Sequence, residues 1–98
     1  MIAGGLVTLG VRDVGSAERF YIETLGMKLV ANGIIDAGDG FLFELRAGAP
    51  HQTITFFPKV PLAQAKSIFE MRGVVFSPDG EFQDPDGNKL RLCERPLR

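Results

Sequence analysis

The stretch Phe82 to Glu94, FQDPDGNKLRLCE, decides how the rest of the chain is interpreted. Its DPDGN segment is a dense turn signal, because Pro85 presets φ for the second position of a β-turn and Gly87 tolerates positive φ. Residues 89–94 then alternate polar and apolar, which predicts a hairpin ending in a strand with one buried face. The other face carries Lys89, Arg91 and Cys93, either as solvated charges on a closing edge strand or as part of a functional site.

Composition restricts the class of protein. The chain has 98 residues, 45% of them hydrophobic and 23% charged, as expected for one globular domain with a modest core. A formal net charge of -1 gives no reason to expect nucleic acid or a membrane surface as a partner, and no apolar run is long enough to cross a bilayer. No signal peptide is recognised, and the single Cys93 excludes an intramolecular disulfide, so we expect a cytoplasmic protein.

The first half of the chain reads as strand, helix and three strands. Leu6 to Val11 is β-rich, and Asp13 or Ser16 can cap a helix that stops at Gly26. Asn32-Gly33 favours a type I′ hairpin turn. The three strands after the helix are predicted at 27–31, 34–37 and 41–46.

The second half follows the same order after a linker at Gly48-Ala49-Pro50. A strand is predicted at 53–57 and a helix at 62–72 that stops at Gly73. The three strands after it are predicted at 74–76, 81–83 and 89–94.

The two halves align without a gap at an offset of 47 residues, which carries Gly26 onto Gly73 and Glu44 onto Arg91. We therefore predict a single domain, residues 1–98, made of repeat units 1–49 and 50–98. Its fold class is α+β: two βαβββ units form a curved mixed sheet around a shared cleft, with the helices on the outer face.

Strand alternation divides the predicted side chains into two sets. The set expected under the helices is Val7, Leu9, Phe43, Leu45, Ile54, Phe56, Leu90 and Leu92. The set expected to line the cleft is Leu6, Thr8, Leu42, Glu44, Thr53, Thr55, Phe57 and Arg91, with Cys93 at its end. A concave, largely apolar surface with a few polar groups suits a small organic ligand.

The chain resembles the vicinal oxygen chelate superfamily, which includes glyoxalase I, bleomycin-resistance proteins and extradiol dioxygenases. Three segments carry the resemblance: Val11 to Val14 followed by Ala17 to Tyr21, then Thr24 to Met27, and the DPDGN turn. In metal-dependent members, the resemblance implies a divalent ion held by side chains of the first and last strands of each unit. The matching positions here are Leu6, Glu44, Thr53 (Gln52 if the register slips by one) and Arg91.

Only Glu44 of these four matches the family's usual ligands. Arg91 would bring a permanent positive charge to the place of the cation, so we expect no metal and no other cofactor. Glu44 and Arg91 suggest an ion pair across the cleft, which either satisfies itself or binds a ligand's carboxylate, phenolate or phosphate. His51 is read either as an exposed linker residue or, with Glu44, as a degenerate metal site.

Three functions follow from this reading. The first is a metal-free small-molecule binding protein of the bleomycin-resistance type, and the second is a metal-dependent lyase, isomerase or dioxygenase that uses a divalent metal on Glu44 and His51. The third is a scaffold with no cleft ligand. Whether the chain is an enzyme is left open.

Cys93 is interpreted as a small packing residue, and Tyr21 as a packing residue with its hydroxyl at the surface.

We also expect a homodimer, because short strands leave sheet edges to cover and relatives often pair units across chains.

Overall fold

The first helix begins at an aspartate cap. The computed structural model describes Met1, residues 4–50 and residues 52–94. Strand β1 (Leu6–Val11) leads to Asp13, whose carboxylate accepts the N–H of Gly15 (3.1 Å) and the Ser16 hydroxyl (2.8 Å). These two bonds hold the pKa of Asp13 below its usual value. Of the two predicted caps, Asp13 is therefore the one that starts helix α1 (Val14–Arg19).

Helix α1 widens into a π-helical turn, Phe20–Thr24, which sequence patterns did not predict. Gly26 ends it with φ of 77°, as expected. Three strands follow: β2 (Lys28–Ala31), β3 (Ile34–Asp36) and β4 (Leu42–Ala47). They form sheet A in the order β1-β4-β3-β2, in which β1 and β4 run parallel.

The Asn32-Gly33 turn differs from the predicted type I′. Gly33 has φ of 73°, but Asp39 is the only non-glycine with positive φ in the described part of the chain. Asn32 therefore lacks the positive φ that type I′ requires at both central residues. The Gly33 N–H donates to Glu18 (2.7 Å) and its carbonyl accepts from Leu45 (2.7 Å), so contacts outside the turn set its geometry.

The second half contains β5 (Thr53–Phe56), α2 (Leu62–Met71), β6 (Glu81–Gln83) and β7 (Lys89–Leu92). Sheet B has the order β5-β7-β6, with β5 and β7 parallel. The strand predicted at 74–76 is wrong: these residues have no strand pairing. The Ser77 N–H donates to the Glu81 carbonyl (2.7 Å), and the Ser77 hydroxyl accepts the Glu81 N–H (3.2 Å), so a tight turn leads into β6 without a paired strand before it.

Strand pairing repeats at the predicted offset of 47. Thr8 pairs with Glu44 in sheet A, and Thr55 pairs with Arg91 in sheet B. The antiparallel ladders agree, since Ile34 faces Glu44 where Glu81 faces Arg91. An α+β fold with two mixed sheets and two helices is thus confirmed.

One hydrophobic core joins the two sheets. Of the eight residues predicted to be buried, seven are, and Val7 is half-buried against them. Phe43 of sheet A meets Phe56 of sheet B with ring centroids 6.3 Å apart. The faces that carry Glu44 and Arg91 are the alternate ones, turned away from this core.

Buried polar groups also join the halves. Asp84 accepts the Tyr21 hydroxyl (2.8 Å), the N–H groups of Asp86 and Asn88, and the Asn88 side-chain amide. The same amide donates to the Gly10 carbonyl on β1 (2.8 Å). Tyr21 is fully buried, so the prediction of a surface hydroxyl is wrong: the hydroxyl has a carboxylate partner inside the fold.

None of the described helices has both the length and the apolar character needed to span a membrane.

Candidate functional site

Glu44 lies at the centre of the outer face of sheet A. The Thr8 hydroxyl donates to its Oε1 (3.0 Å), and Arg46 Nη2 forms an ion pair with its Oε2 (2.9 Å). The Arg46 bond and then the Thr8 bond hold the pKa of Glu44 below its usual value. The predicted ion pair with Arg91 is wrong, because Arg46, two residues along the same face of β4, occupies the carboxylate instead.

Apolar side chains adjoin this carboxylate. Leu6 and Leu42 are paired across β1 and β4, and Leu6 is 47% exposed. Thr8 pairs with Glu44 in the next row on the same face. Four predicted cleft residues therefore form one patch on sheet A.

Arg91 lies on the outer face of sheet B, between Thr55 of β5 and Glu81 of β6. It is exposed, and its side chain makes no salt bridge or hydrogen bond to any described residue. Thr53 and Lys89 form the adjacent row on the same face, and both are exposed. This face of sheet B therefore carries two cations, two hydroxyl groups and the Glu81 carboxylate.

The four positions that the resemblance matches to metal ligands, Leu6, Glu44, Thr53 and Arg91, do not suit a divalent ion. Leu6 offers no donor atom, Arg91 is cationic, and both oxygens of Glu44 are already bonded. The described residues contain no group of three or more metal-ligating side chains. His51, the other ligand of the alternative site, lies outside the described residues.

A groove opens where the two halves meet, with a volume of about 730 Å³. Thr55 and Phe57 are the two predicted site residues that line it. The others lie on the sheet faces. Further lining comes from the end of the first helix, the β3–β4 turn, the end of β5 and helix α2, namely Leu25–Lys28, Asp36–Asp39, Phe41, Phe56, Pro58, Lys59, Ala65, Phe69 and Leu92.

Sequence reasoning missed most of this groove, because its wall mixes residues of both strand faces with loop residues. Alternation along a strand predicts the side chains on one face. It does not predict a cavity lined by both faces at the end of the strand. The glycine-flanked Asp39 and the Pro58 break were the only signals of loops there.

Cys93 is a half-buried free thiol whose N–H donates to the Phe56 carbonyl (3.1 Å). Its packing role stays a prediction.

Comparisons with known proteins find likeness at the level of structure. No protein-family model and no curated protein sequence matches the chain. A member of the glyoxalase/bleomycin resistance protein/dioxygenase superfamily from Sphaerobacter thermophilus superimposes with a TM-score of 0.74 over 97% of this chain and 98% of that one, at 22% identity. The fold is that of the vicinal oxygen chelate superfamily.

Two other structures with the vicinal oxygen chelate fold carry functional names. An antibiotic-binding protein from a Streptomyces species has a TM-score of 0.71 at 21% identity, covering 98% of each chain. The fosfomycin resistance protein FosX from Mesorhizobium loti has a TM-score of 0.72 at 19% identity, covering 99% of this chain and 96% of that one. At these identities the likeness establishes the fold.

Proposed function

We propose that this chain is a metal-free small-molecule binding protein of the glyoxalase/bleomycin-resistance-like type. Its ligand is an organic molecule with an anionic or polar group. The observation that supports this is Arg91, an exposed guanidinium on the outer face of sheet B that has no side-chain partner among the described residues.

The chemistry around Arg91 favours an anion. A guanidinium presents planar paired donors that match a carboxylate, phosphate or sulfonate. Thr53 and Thr55 can add hydroxyl donors from the neighbouring strand, and Lys89 adds a second positive charge that offsets the Glu81 carboxylate paired with Arg91 across β6 and β7. Phe57, 44% exposed beyond the end of β5, can cover an apolar part of the ligand.

The sheet A patch supplies the rest of the proposed site. Leu6 and Leu42 give apolar contact, and Thr8 holds Glu44 where the carboxylate can accept an N–H from a ligand. The names of two structural neighbours, an antibiotic-binding protein and a fosfomycin resistance protein, support a small-molecule role.

We also propose that residues 1–98 act as one domain in a cytoplasmic homodimer. Strand β2, at an edge of sheet A, is exposed along its whole length and includes Leu29 at 42% and Val30 at 49%. Pairing with a second copy would cover such an edge. A monomer peak in sedimentation at micromolar concentration would overturn this part.

Native mass spectrometry of the freshly purified protein tests the function, because it reports bound metal, bound ligand and subunit number together. Thermal-shift screening then compares aromatic and aliphatic carboxylates, sulfonates and phosphate esters on the unaltered protein and on Arg91→Ala. We expect anionic compounds to stabilise the unaltered protein and to lose that effect in Arg91→Ala but not in Arg19→Ala, which removes an exposed arginine elsewhere. Stoichiometric metal that is lost in Glu44→Ala would overturn the proposal.

A further inference from the structure

The groove between the two halves has an aromatic wall. Four phenylalanines line it: Phe41 before β4, Phe56 and Phe57 at the end of β5, and Phe69 on α2. Phe41 is 38% exposed and Phe57 is 44% exposed, so both residues of this lining keep surface outside the core. Aromatic side chains left exposed in a concave site offer a binding surface.

The geometry of the rings suits a flat partner. Phe41 and Phe56 have centroids 6.1 Å apart and planes tilted by 59°, with Phe56 buried and Phe41 38% exposed. Aromatic groups pack well in offset or edge-to-face contacts with such pairs. Met27, on the same wall, adds a polarisable thioether that also favours aromatic contact.

The charged groups at the rim balance one another. Lys59 Nζ lies 3.5 Å from Asp39 Oδ1, and Lys28 is paired in register with Asp36 across β2 and β3. The groove itself therefore selects little for ligand charge, and its affinity comes from apolar and aromatic contact.

Thr55 belongs both to the groove lining and to the outer face of sheet B, which carries Arg91. It lines the groove and is also the residue paired with Arg91 across β5 and β7. Directly paired residues on one face of a sheet have Cβ atoms about 5 Å apart. A substituent that extends from the groove past Thr55, around the edge strand β5, would therefore approach Arg91.

We propose that the ligand is a planar aromatic anion: its ring system occupies the groove between the halves, and its acidic substituent binds Arg91. The anionic end rests on the function proposed above, whereas the aromatic end is argued from the groove alone. The volume of about 730 Å³ accommodates two or three fused or linked rings.

Two fluorescent probes with the same ring system separate the two ends. Anilinonaphthalene sulfonate is an aromatic anion, and phenylnaphthylamine is its counterpart without the sulfonate. We expect both to bind the unaltered protein, the sulfonate more tightly. Arg91→Ala should weaken binding of the sulfonate about five- to tenfold, the loss of one charged hydrogen-bonding partner, and leave phenylnaphthylamine unchanged.

Filling the groove tests the aromatic end. Ala37 is half-buried in the groove wall, and Ala37→Trp should weaken both probes by at least about tenfold. Ala63→Trp places the same side chain on the exposed surface of α2, outside the groove, and should change neither probe. Val75→Lys controls for a second cavity, about 480 Å³, which Val75 lines with 84% exposure.

The outcomes distinguish the two proposals. If Ala37→Trp leaves both affinities intact, the groove is not the aromatic site, even where Arg91→Ala still weakens the sulfonate and supports the proposed function. If Ala37→Trp removes both probes but Arg91→Ala changes neither, the aromatic end stands and Arg91 is not the anion anchor. Loss of probe binding in Val75→Lys would place the aromatic site in the second cavity and overturn the inference. Circular dichroism of each variant confirms that it is folded.

Discussion

The Tyr21 hydroxyl donates a 2.8 Å hydrogen bond to the Asp84 carboxylate, and both side chains are buried. The bond joins the π-helical turn of the first half to the DPDGN turn of the second. Two segments that carry the resemblance to the superfamily are therefore in contact. Their residues hold the halves together instead of facing a ligand.

Tyr21→Phe should lower the free energy of unfolding by about 1.5–3 kcal/mol, because a buried carboxylate loses one hydrogen-bond donor. Chemical denaturation measures this. Thr53→Val, which removes an exposed hydroxyl from a strand, is the matched control and should have little effect. Equal stability of Tyr21→Phe and the unaltered protein would show that the hydrogen bond adds nothing net.

The ionisation of Tyr21 gives a second prediction. Burial, reinforced by the nearby Asp84 charge, raises the pKa of Tyr21 far above its ordinary value of 10.0. The unfolded chain loses this proton near that ordinary value while the folded chain keeps it. The stability that Tyr21 contributes is thus complete below about pH 10 and is lost as the pH rises above it.

Tyr21 is the only tyrosine and the chain has no tryptophan, so near-ultraviolet absorbance of tyrosinate reports this one group. We expect no tyrosinate until the protein unfolds at alkaline pH, as followed by circular dichroism. Tyrosinate forming near pH 10 in a folded protein would contradict the burial of this hydroxyl. Tyr21→Phe should weaken the alkaline dependence of stability.

Gly10→Ala should destabilise the protein by about 1–3 kcal/mol or more, since an added Cβ would overlap the Ala49 carbonyl oxygen in the linker. Gly15→Ala is the matched control: its Cβ would lie 3.6 Å from Asp13 Oδ1, an ordinary contact, and alanine favours helix α1. Thermal unfolding of the two variants should move in opposite directions. An unchanged unfolding temperature in Gly10→Ala would mean that the linker can move away from the added Cβ without loss of stability.

The Glu44 carboxyl should titrate below its ordinary pKa of 4.5, and carbon NMR of that side chain measures it. Arg46→Leu should raise the pKa most, and Thr8→Val should raise it less, in the order of their contributions. Because the folded pKa is lowered, any stability from this carboxylate is present above about pH 4.5 and is lost as the pH falls through the folded value. An unchanged pKa in Arg46→Leu would contradict the ion pair on β4.

The sequence predicted the strand register of the repeat well, but it predicted poorly which polar side chains bond each other. The 47-residue offset carries the pairs of β1, β3 and β4 onto those of β5, β6 and β7, because register follows the alternation that buries one face, whereas the β2–β3 pair has no counterpart. Alternation also predicted which face of β1, β4, β5 and β7 enters the core.

Alternation does not predict which polar groups form hydrogen bonds or ion pairs with each other. Glu44 bonds Arg46 on its own strand instead of Arg91 on the other sheet, a choice set by the distance between side chains in space. Tyr21 bonds a residue 63 positions away, and the groove wall combines loops from both halves. The 74–76 segment has strand propensity, but it pairs with no described strand.

The polar bonds between the halves also affect how fast the chain can fold. Asn88 reaches Gly10 across 78 positions and Arg12 reaches Asp86 across 74, so residues 10–88 must be synthesised and the two segments brought together before these bonds form. Chain entropy is lost when such distant segments come together, before their contacts contribute stabilising energy. Folding is therefore slower than for helical bundles of equal length. Nascent chains on the ribosome should therefore expose the first sheet unprotected until the DPDGN turn emerges.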